Sequence, residues 1–247
     1  MTSEELRPND YRKIAYQRYG NFGACNYSSF ENYYRRKLIG RLSIGQDWRC
    51  LDLACGFGNF LSFLRQAGVQ SYTGIDASAE ATAMARQEFG ESHVILKDVF
   101  EYLALNNEQF DLISALDFVE HVGKNDVYKL LTLVSDRQPL DGLLLIRTPN
   151  ANGLFGSAAR YGDITHEVCF TPDSLGDVLS RCGYTVQAVW EDGPAIGTLK
   201  QTLHWMIWQV ARFCIRLVNA AETGSLGDGV LTRNMWVLAK RCDVYER

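Results

Sequence analysis

The feature that most constrains this chain is a rhythm that begins near Cys50, where short apolar runs alternate with helix-like segments. Cys50–Ala54 (CLDLA) reads as a buried strand, followed by a glycine turn and a helix over Asn59–Gln66. Tyr72–Ile75 reads as a second strand, and Ala79–Phe89 as an alanine-rich helix with Ser78 as its N-cap. His93–Leu96, Phe110–Ala115 and Leu143–Ile146 are further strands, separated by helical segments near Phe100–Leu105 and Asp126–Ser135. Thr171–Cys182 then reads as a helix, with Pro172 at its first position and Gly183 as its stop. Strands near Tyr184–Val189 and Met235–Ala239 finish the pattern. Strand and helix alternating in this way predict a doubly wound, Rossmann-like α/β domain whose largely parallel sheet is covered on both faces.

No internal repeat or low-complexity linker interrupts the chain, so one folded unit over 1–247 is the expectation. Residues 1–48 form a tyrosine-rich cap (Tyr11, Tyr16, Tyr19, Tyr27, Tyr33, Tyr34) and 49–193 the core. A helical addition occupies 194–231, and 232–241 is the last strand. The formal net charge of −4 disfavours nucleic acid, because a duplex-binding module carries a basic excess. The opening MTSEELRPND lacks a secretory pattern, and seven cysteines without paired short spacings suggest reduced thiols. A cytoplasmic location, free or peripheral to the inner face of the membrane, is the expectation.

The chemistry starts at Asp52-Leu53-Ala54-Cys55-Gly56-Phe57-Gly58-Asn59, a strand running through two glycines into a helix. Such a turn lets backbone N–H groups approach a ligand. A dinucleotide fingerprint places a third small residue where this chain has Leu61, and no Lys-Ser or Lys-Thr follows to grip phosphate. Asp76, with Ala77 beside it, ends the second strand at the distance from the glycines where an acid accepts from ribose hydroxyls. Asp98-Val99 follows the third strand and Leu116-Asp117 the fourth, all at carboxyl ends of parallel strands. Together these residues describe an adenosine site without a phosphate grip.

In CLDLACGFGNF, YTGIDAS, LKDVF and ISALDFVEHV the sequence resembles the class I S-adenosylmethionine-dependent methyltransferases. LIRTPN and DITHEVCFTPDSL are similar to the branch with ubiquinone-biosynthesis and polysaccharide-associated O-methyltransferases. The resemblance covers roughly 35–190 and Leu231–Arg241. It implies a seven-stranded, mostly parallel sheet with an antiparallel last strand, and S-adenosylmethionine as cofactor. It also implies backbone contacts at Ala54, Gly56 and Gly58, ribose bonding by Asp76, and adenine held by Asp98 and Val99. Leu116 and Asp117 then line the methionine side, and Asp52 orients the amino group. Arg36, in the cap, occupies a position from which related enzymes reach the methionine carboxylate; its alternative is a solvated charge. The addition at 194–231 departs from the short hairpin usual in the family.

Methyl transfer to an alcohol needs a base for the hydroxyl proton. Of four histidines, His93 reads as structural and His204 lies on the additional helix. His121 follows the fourth strand, and His166 sits in the loop after the fifth, so these two are the candidate catalytic residues. Glu120, His121, Asp163, His166 and Glu167 also invite a divalent ion, but no strict ligand spacing supports one and none is expected. On the helix near Leu199–Ala220, an apolar face is expected to dock on the protein. That leaves Trp205, Trp208, Arg212 and Arg216 for a glycan, a membrane surface or a second subunit. The functional expectation is O-methylation of a sugar hydroxyl on a glycan or glycan precursor. A small-molecule or quinone-precursor acceptor is the alternative, and a non-catalytic cofactor-binding module is the alternative of another class.

Overall fold

The computed structural model describes residues 26–243. Its strands are β1 (Arg49–Leu53), β2 (Ser71–Asp76), β3 (Val94–Leu96), β4 (Leu112–Leu116), β5 (Leu143–Pro149), β6 (Tyr184–Glu191) and β7 (Asn234–Arg241). Its helices are α1 (Tyr27–Leu38), α2 (Asn59–Gln66), α3 (Ala79–Phe89), α4 (Val99–Leu105), α5 (Val127–Asp136), α6 (Gly156–Tyr161), α7 (Pro172–Arg181) and α8 (Leu199–Thr223). The strands form one sheet in the order β3-β2-β1-β4-β5-β7-β6. Pairings from β3 through β5 are parallel, whereas β7 runs antiparallel to both β5 and β6. The chain winds outward from β1 to β3 and returns to β4, so the topological switch point lies between β1 and β4. Ligands bind open α/β sheets at that point, beyond the carboxyl ends of the strands.

Two-residue periodicity explains the layering. Leu51, Leu53, Ile113, Ala115, Leu144 and Ile146 face α5 and α7 through Leu130, Leu131, Leu175 and Leu179. Cys50, Leu112, Leu145 and Trp236 face the opposite way, against Phe60 and Leu64 of α2 and Phe89 of α3. Local signals set the helix ends. The Ser78 side chain accepts from Ala81 N–H, and Thr171 and Ser174 form a reciprocal capping box behind Pro172. α1 lies on the second face, where Tyr34 meets Phe60 edge-on at 5.2 Å. Tyr11, Tyr16 and Tyr19 lie outside the described residues. The six described cysteines are free thiols.

The helical addition departs from expectation. It is the reverse face of α8 that docks: Trp208 Nε1 donates to Glu191 Oε2 at 3.1 Å, Arg212 to the Gly229 carbonyl at 2.9 Å and Arg216 to the Leu226 carbonyl at 3.2 Å. The apolar residues are exposed and α8 buries none of its side chains fully. The cause is the return segment after Gly224, which presents backbone carbonyls to the helix. Such acceptors need donors, and Arg212, Arg216 and Asn219 supply them where leucines cannot. Among the described residues no helix is long and apolar enough to cross a membrane.

Candidate functional site

The cleft at the switch point is built from backbone in unusual conformations. Ala54 and Asp117, just beyond β1 and at the end of β4, both hold left-handed φ angles, 52° and 53°. Non-glycine residues adopt this region at a cost, and such outliers gather where function requires a particular aim of the backbone. Gly56 and Gly58 follow with φ of 54° and 81°. At Gly58 a Cβ would lie 2.5 Å from the Phe89 ring, so glycine is required for packing as well as for φ. Tyr27 donates to the Phe57 carbonyl at 3.0 Å and so fastens the loop to α1.

Asp76 is buried and holds the loop in place. One carboxylate oxygen accepts from Gly56 N–H at 2.9 Å and the other from Ser78 N–H at 2.7 Å. The cleft beside it is lined by Ala54, Ala77, Asp98, Val99, Phe100, Phe118, His121 and Val122. Asp98 caps α4 through one carboxylate oxygen, which accepts from Phe100 and Glu101 N–H. Asp52 is buried behind the loop, where Ser114 Oγ donates to it at 2.6 Å. Burial pushes its carboxyl up to about 7; the nearby Asp76 charge adds to this and the Ser114 bond opposes it.

On the other side of the switch point an ion network joins distant parts of the chain. Arg147, on β5, contacts the Asp117 carboxylate and donates from Nε to Asp192 Oδ2 at 2.8 Å. Tyr33 donates to the same oxygen at 2.7 Å, and Lys37 Nζ lies 3.0 Å from Asp192 Oδ1. Burial raises the Asp192 carboxyl, but Arg147 and Lys37 outweigh it and hold the group below the ordinary carboxylate range. The Arg147 guanidinium also lies 5.9 Å from the Tyr33 and Trp236 ring centres. The network ties α1 to the carboxyl end of the sheet and turns the Asp117 side chain into it.

Next to that network, Glu120, His121 and His166 converge. One ligand-capable atom from each lies within 4.8 Å of the others, and the two imidazole rings meet edge-on at 4.9 Å. His166 Nδ1 lies 3.0 Å from the Ala159 carbonyl, an acceptor, so Nδ1 carries the proton and Nε2 is the basic nitrogen of the neutral ring. His121 Nδ1 is 2.9 Å from Thr165 Oγ1, which itself donates to Asp163 Oδ1 at 2.7 Å. The same tautomer follows. Glu120 is buried, accepts from Thr148 Oγ1 at 3.0 Å, and is raised well above the ordinary carboxyl range by burial and then by the Asp117 charge.

The sequence-predicted residues therefore fall into groups. Ala54, Gly56, Gly58, Asp76, Ala77, Asp98 and Val99 gather around one cleft, and Asp52 lies behind it. His121 and His166 meet at its other wall. Leu116 is half-buried, packed on the face that carries α1. Arg36 stands apart: it is exposed, on the side of α1 away from Tyr34 and Leu38, while its neighbour Lys37 is the buried cation. Of the five groups considered for a metal ion, Asp163 supports Thr165 and Glu167 is exposed, meeting Glu120 through backbone. Sequence reasoning missed Lys37, Arg147 and Asp192, and named Tyr33 only as one tyrosine of the cap. A charge inside the apolar run LLLIRTP is the one signal that singles out Arg147.

Residues 27–189 match the model of a family described as a methyltransferase domain. The chain belongs to that family. It is 26% identical over 127 residues to cyclopropane-fatty-acyl-phospholipid synthase from Escherichia coli, covering 51% of this chain and 32% of that protein. It is 30% identical over 149 residues to ubiquinone biosynthesis O-methyltransferase from Chelativorans, covering 55% and 58%. The match thus spans between a third and three-fifths of these relatives. A SAM-dependent methyltransferase from Archaeoglobus fulgidus superposes with a TM-score of 0.62 at 21% identity, over 94% of this chain and 100% of that one. S-adenosylmethionine is the cofactor of this family fold, and the cleft suits it. Asp98 lines the cleft and Asp76 lies beside it as carboxylates able to accept from hydroxyl and amino groups, Val99, Phe100 and Phe118 supply apolar walls, and among the described residues no lysine or arginine lines the cleft.

Proposed function

We propose that this protein methylates a hydroxyl oxygen on a small acceptor with an apolar or aromatic body, and that His166 accepts the hydroxyl proton. When bound, S-adenosylmethionine supplies the sulfonium methyl group. The glycine loop, Asp76 and Asp98 hold its adenosine, and Leu116 and Asp117 face its methionine end. In-line displacement then depends on where the acceptor oxygen is held, so residues that position it supply much of the rate. The observation that carries the reading is the His121–His166 pair at the cleft wall. The Ala159 carbonyl fixes the His166 tautomer, which leaves Nε2 to take a proton as the oxygen attacks.

The choice of acceptor rests on the same loop. Leu154, Phe155, Tyr161 and Ile164, in the segment that carries His166, are exposed apolar side chains. The glycan expectation rested on the resemblance to polysaccharide-associated enzymes and on free tryptophans, and Trp208 is instead bonded to Glu191. The O-methylating ubiquinone-pathway relative supports a ring-hydroxyl acceptor over a sugar.

The test is transfer of labelled methyl from S-adenosylmethionine onto panels of phenols, hydroxylated quinone precursors and sugars. Labelled phenol or quinone ethers are the expected product. His166→Ala is expected to lower kcat by about 10²–10⁴ and leave cofactor affinity within about twofold. Cofactor binding without turnover on any acceptor would make the protein a binding module, and preferred labelling of sugars would restore the glycan reading.

A further inference from the structure

We propose that the exposed face of α8 is a self-association surface, which pairs antiparallel with α8 of a second copy of this chain. Leu199, Leu203, Met206, Val210, Phe213 and Leu217 follow one another at intervals of four and three residues. That 3.5-residue repeat, kept from Leu199 to Leu217, is the seam a partner helix reads by inserting knobs into holes. Every one of the six is exposed, from 47% at Met206 to 89% at Leu199. The helix cannot hide them by rolling over, because Trp208, Arg212, Arg216 and Asn219 fasten its other side to Glu191 and to the return segment.

Area and the regular repeat favour a second copy as the occupant. At roughly 60–120 Å² of apolar surface per side chain, six residues from each copy bury on the order of 700–1,400 Å². The upper part of that range reaches the lower end of specific protein interfaces, about 1,200–2,000 Å², the size of a weak, concentration-dependent dimer. An antiparallel arrangement sets Val210 against Phe213, Met206 against Leu217 and Leu203 against Ala220. A two-fold axis then repeats each contact. A bilayer surface has no register to match a strict repeat, and the two arginines of α8 are bonded to the Gly229 and Leu226 carbonyls, so they do not form a basic rim for anionic headgroups.

Sedimentation and light scattering on the full chain, from below 1 μM to about 100 μM, test this. The expected mass rises towards twice 27.9 kDa with concentration. Val210→Glu with Phe213→Glu is expected to hold the protein at monomer mass and weaken association by about 100-fold or more. Neither residue is buried, so an unchanged thermal melt and unchanged S-adenosylmethionine affinity show that the variant folds. A mixture of Leu203→Cys and Ala220→Cys chains, each also carrying Cys214→Ser, should form a mixed disulfide dimer on mild oxidation; failure of that cross-link in the associated protein overturns the antiparallel register. A wild-type protein that stays monomeric throughout, or that is monomeric and co-sediments with phosphatidylethanolamine–phosphatidylglycerol vesicles through α8, overturns the proposal.

Discussion

The two walls of the cleft are held by opposite strategies. The cofactor wall is local: Gly56 and Asp76 are separated by 20 residues, and the contacts that shape it are mostly backbone N–H groups meeting carboxylates. The side that carries the ion network and the two histidines is long-range: Tyr33 reaches Asp192 across 159 positions, and His121 reaches Thr165 across 44. Backbone cradles depend on φ angles and on glycines, so they tolerate side-chain change nearby but not at the turn. Side-chain networks depend on every charged member, because removing one leaves its partner desolvated and unpaired.

That contrast can be broken by substitution. Arg147→Met is expected to have the largest effect, about 3–5 kcal/mol of stability, since it strands Asp192 without its main counter-charge. Denaturant unfolding measures it, and a loss below about 1 kcal/mol would mean that Lys37 alone neutralises Asp192. The buried Asp52 makes the cofactor wall sensitive to pH. The folded chain keeps this carboxyl protonated up to about 7, whereas the unfolded chain ionises it near 4. Its contribution is therefore complete at pH below about 4 and is lost as pH rises towards 7, by as much as roughly 4 kcal/mol. Asp52→Asn should flatten the melting temperature across that window, and an identical slope in the variant would show that the group titrates elsewhere.

Asp76→Ala comes next. It removes the acceptor for Gly56 and Ser78 N–H and for a ribose, and should weaken cofactor binding by about 1–3 kcal/mol by calorimetry. Equal affinity in a folded variant would move the ribose elsewhere. Arg36→Ala should do least, under about 0.5 kcal/mol in stability and under twofold in cofactor affinity, as an exposed side chain on the outer side of α1. A tenfold loss of affinity would bring Arg36 into the site after all.

The same contrast explains what the sequence discloses. β1, the glycine turn, α2, Ser78 as cap and Asp76 are written in adjacent residues, and their signals are short-range sterics and hydrogen bonds. The α2 and α3 limits read from the pattern coincide with those observed, and so does the reversed direction of β7 that the resemblance implied. Asp192 is unremarkable in EDG and becomes visible when β6 brings it beside Arg147. For α8 the periodicity was legible, yet periodicity identifies an apolar face without saying which face docks. The carbonyls at Leu226 and Gly229 decided that, and nothing in the helix itself announces them.

The antiparallel pairing of β6 with β7 has a consequence for how such a chain acquires parts. Glu191 stands opposite Met235 in the ladder, so the excursion that contains α8 leaves and rejoins the sheet at neighbouring points. Glu191 closes this gate with both oxygens, one accepting from Trp208 and the other from Leu231 N–H. Lengthening a connection whose ends are already held together carries only a logarithmic entropy penalty, about 0.6 kcal/mol per doubling. The hairpin end is thus a port where a module can be grafted, resized or exchanged while the parallel strands that carry the cleft keep their register.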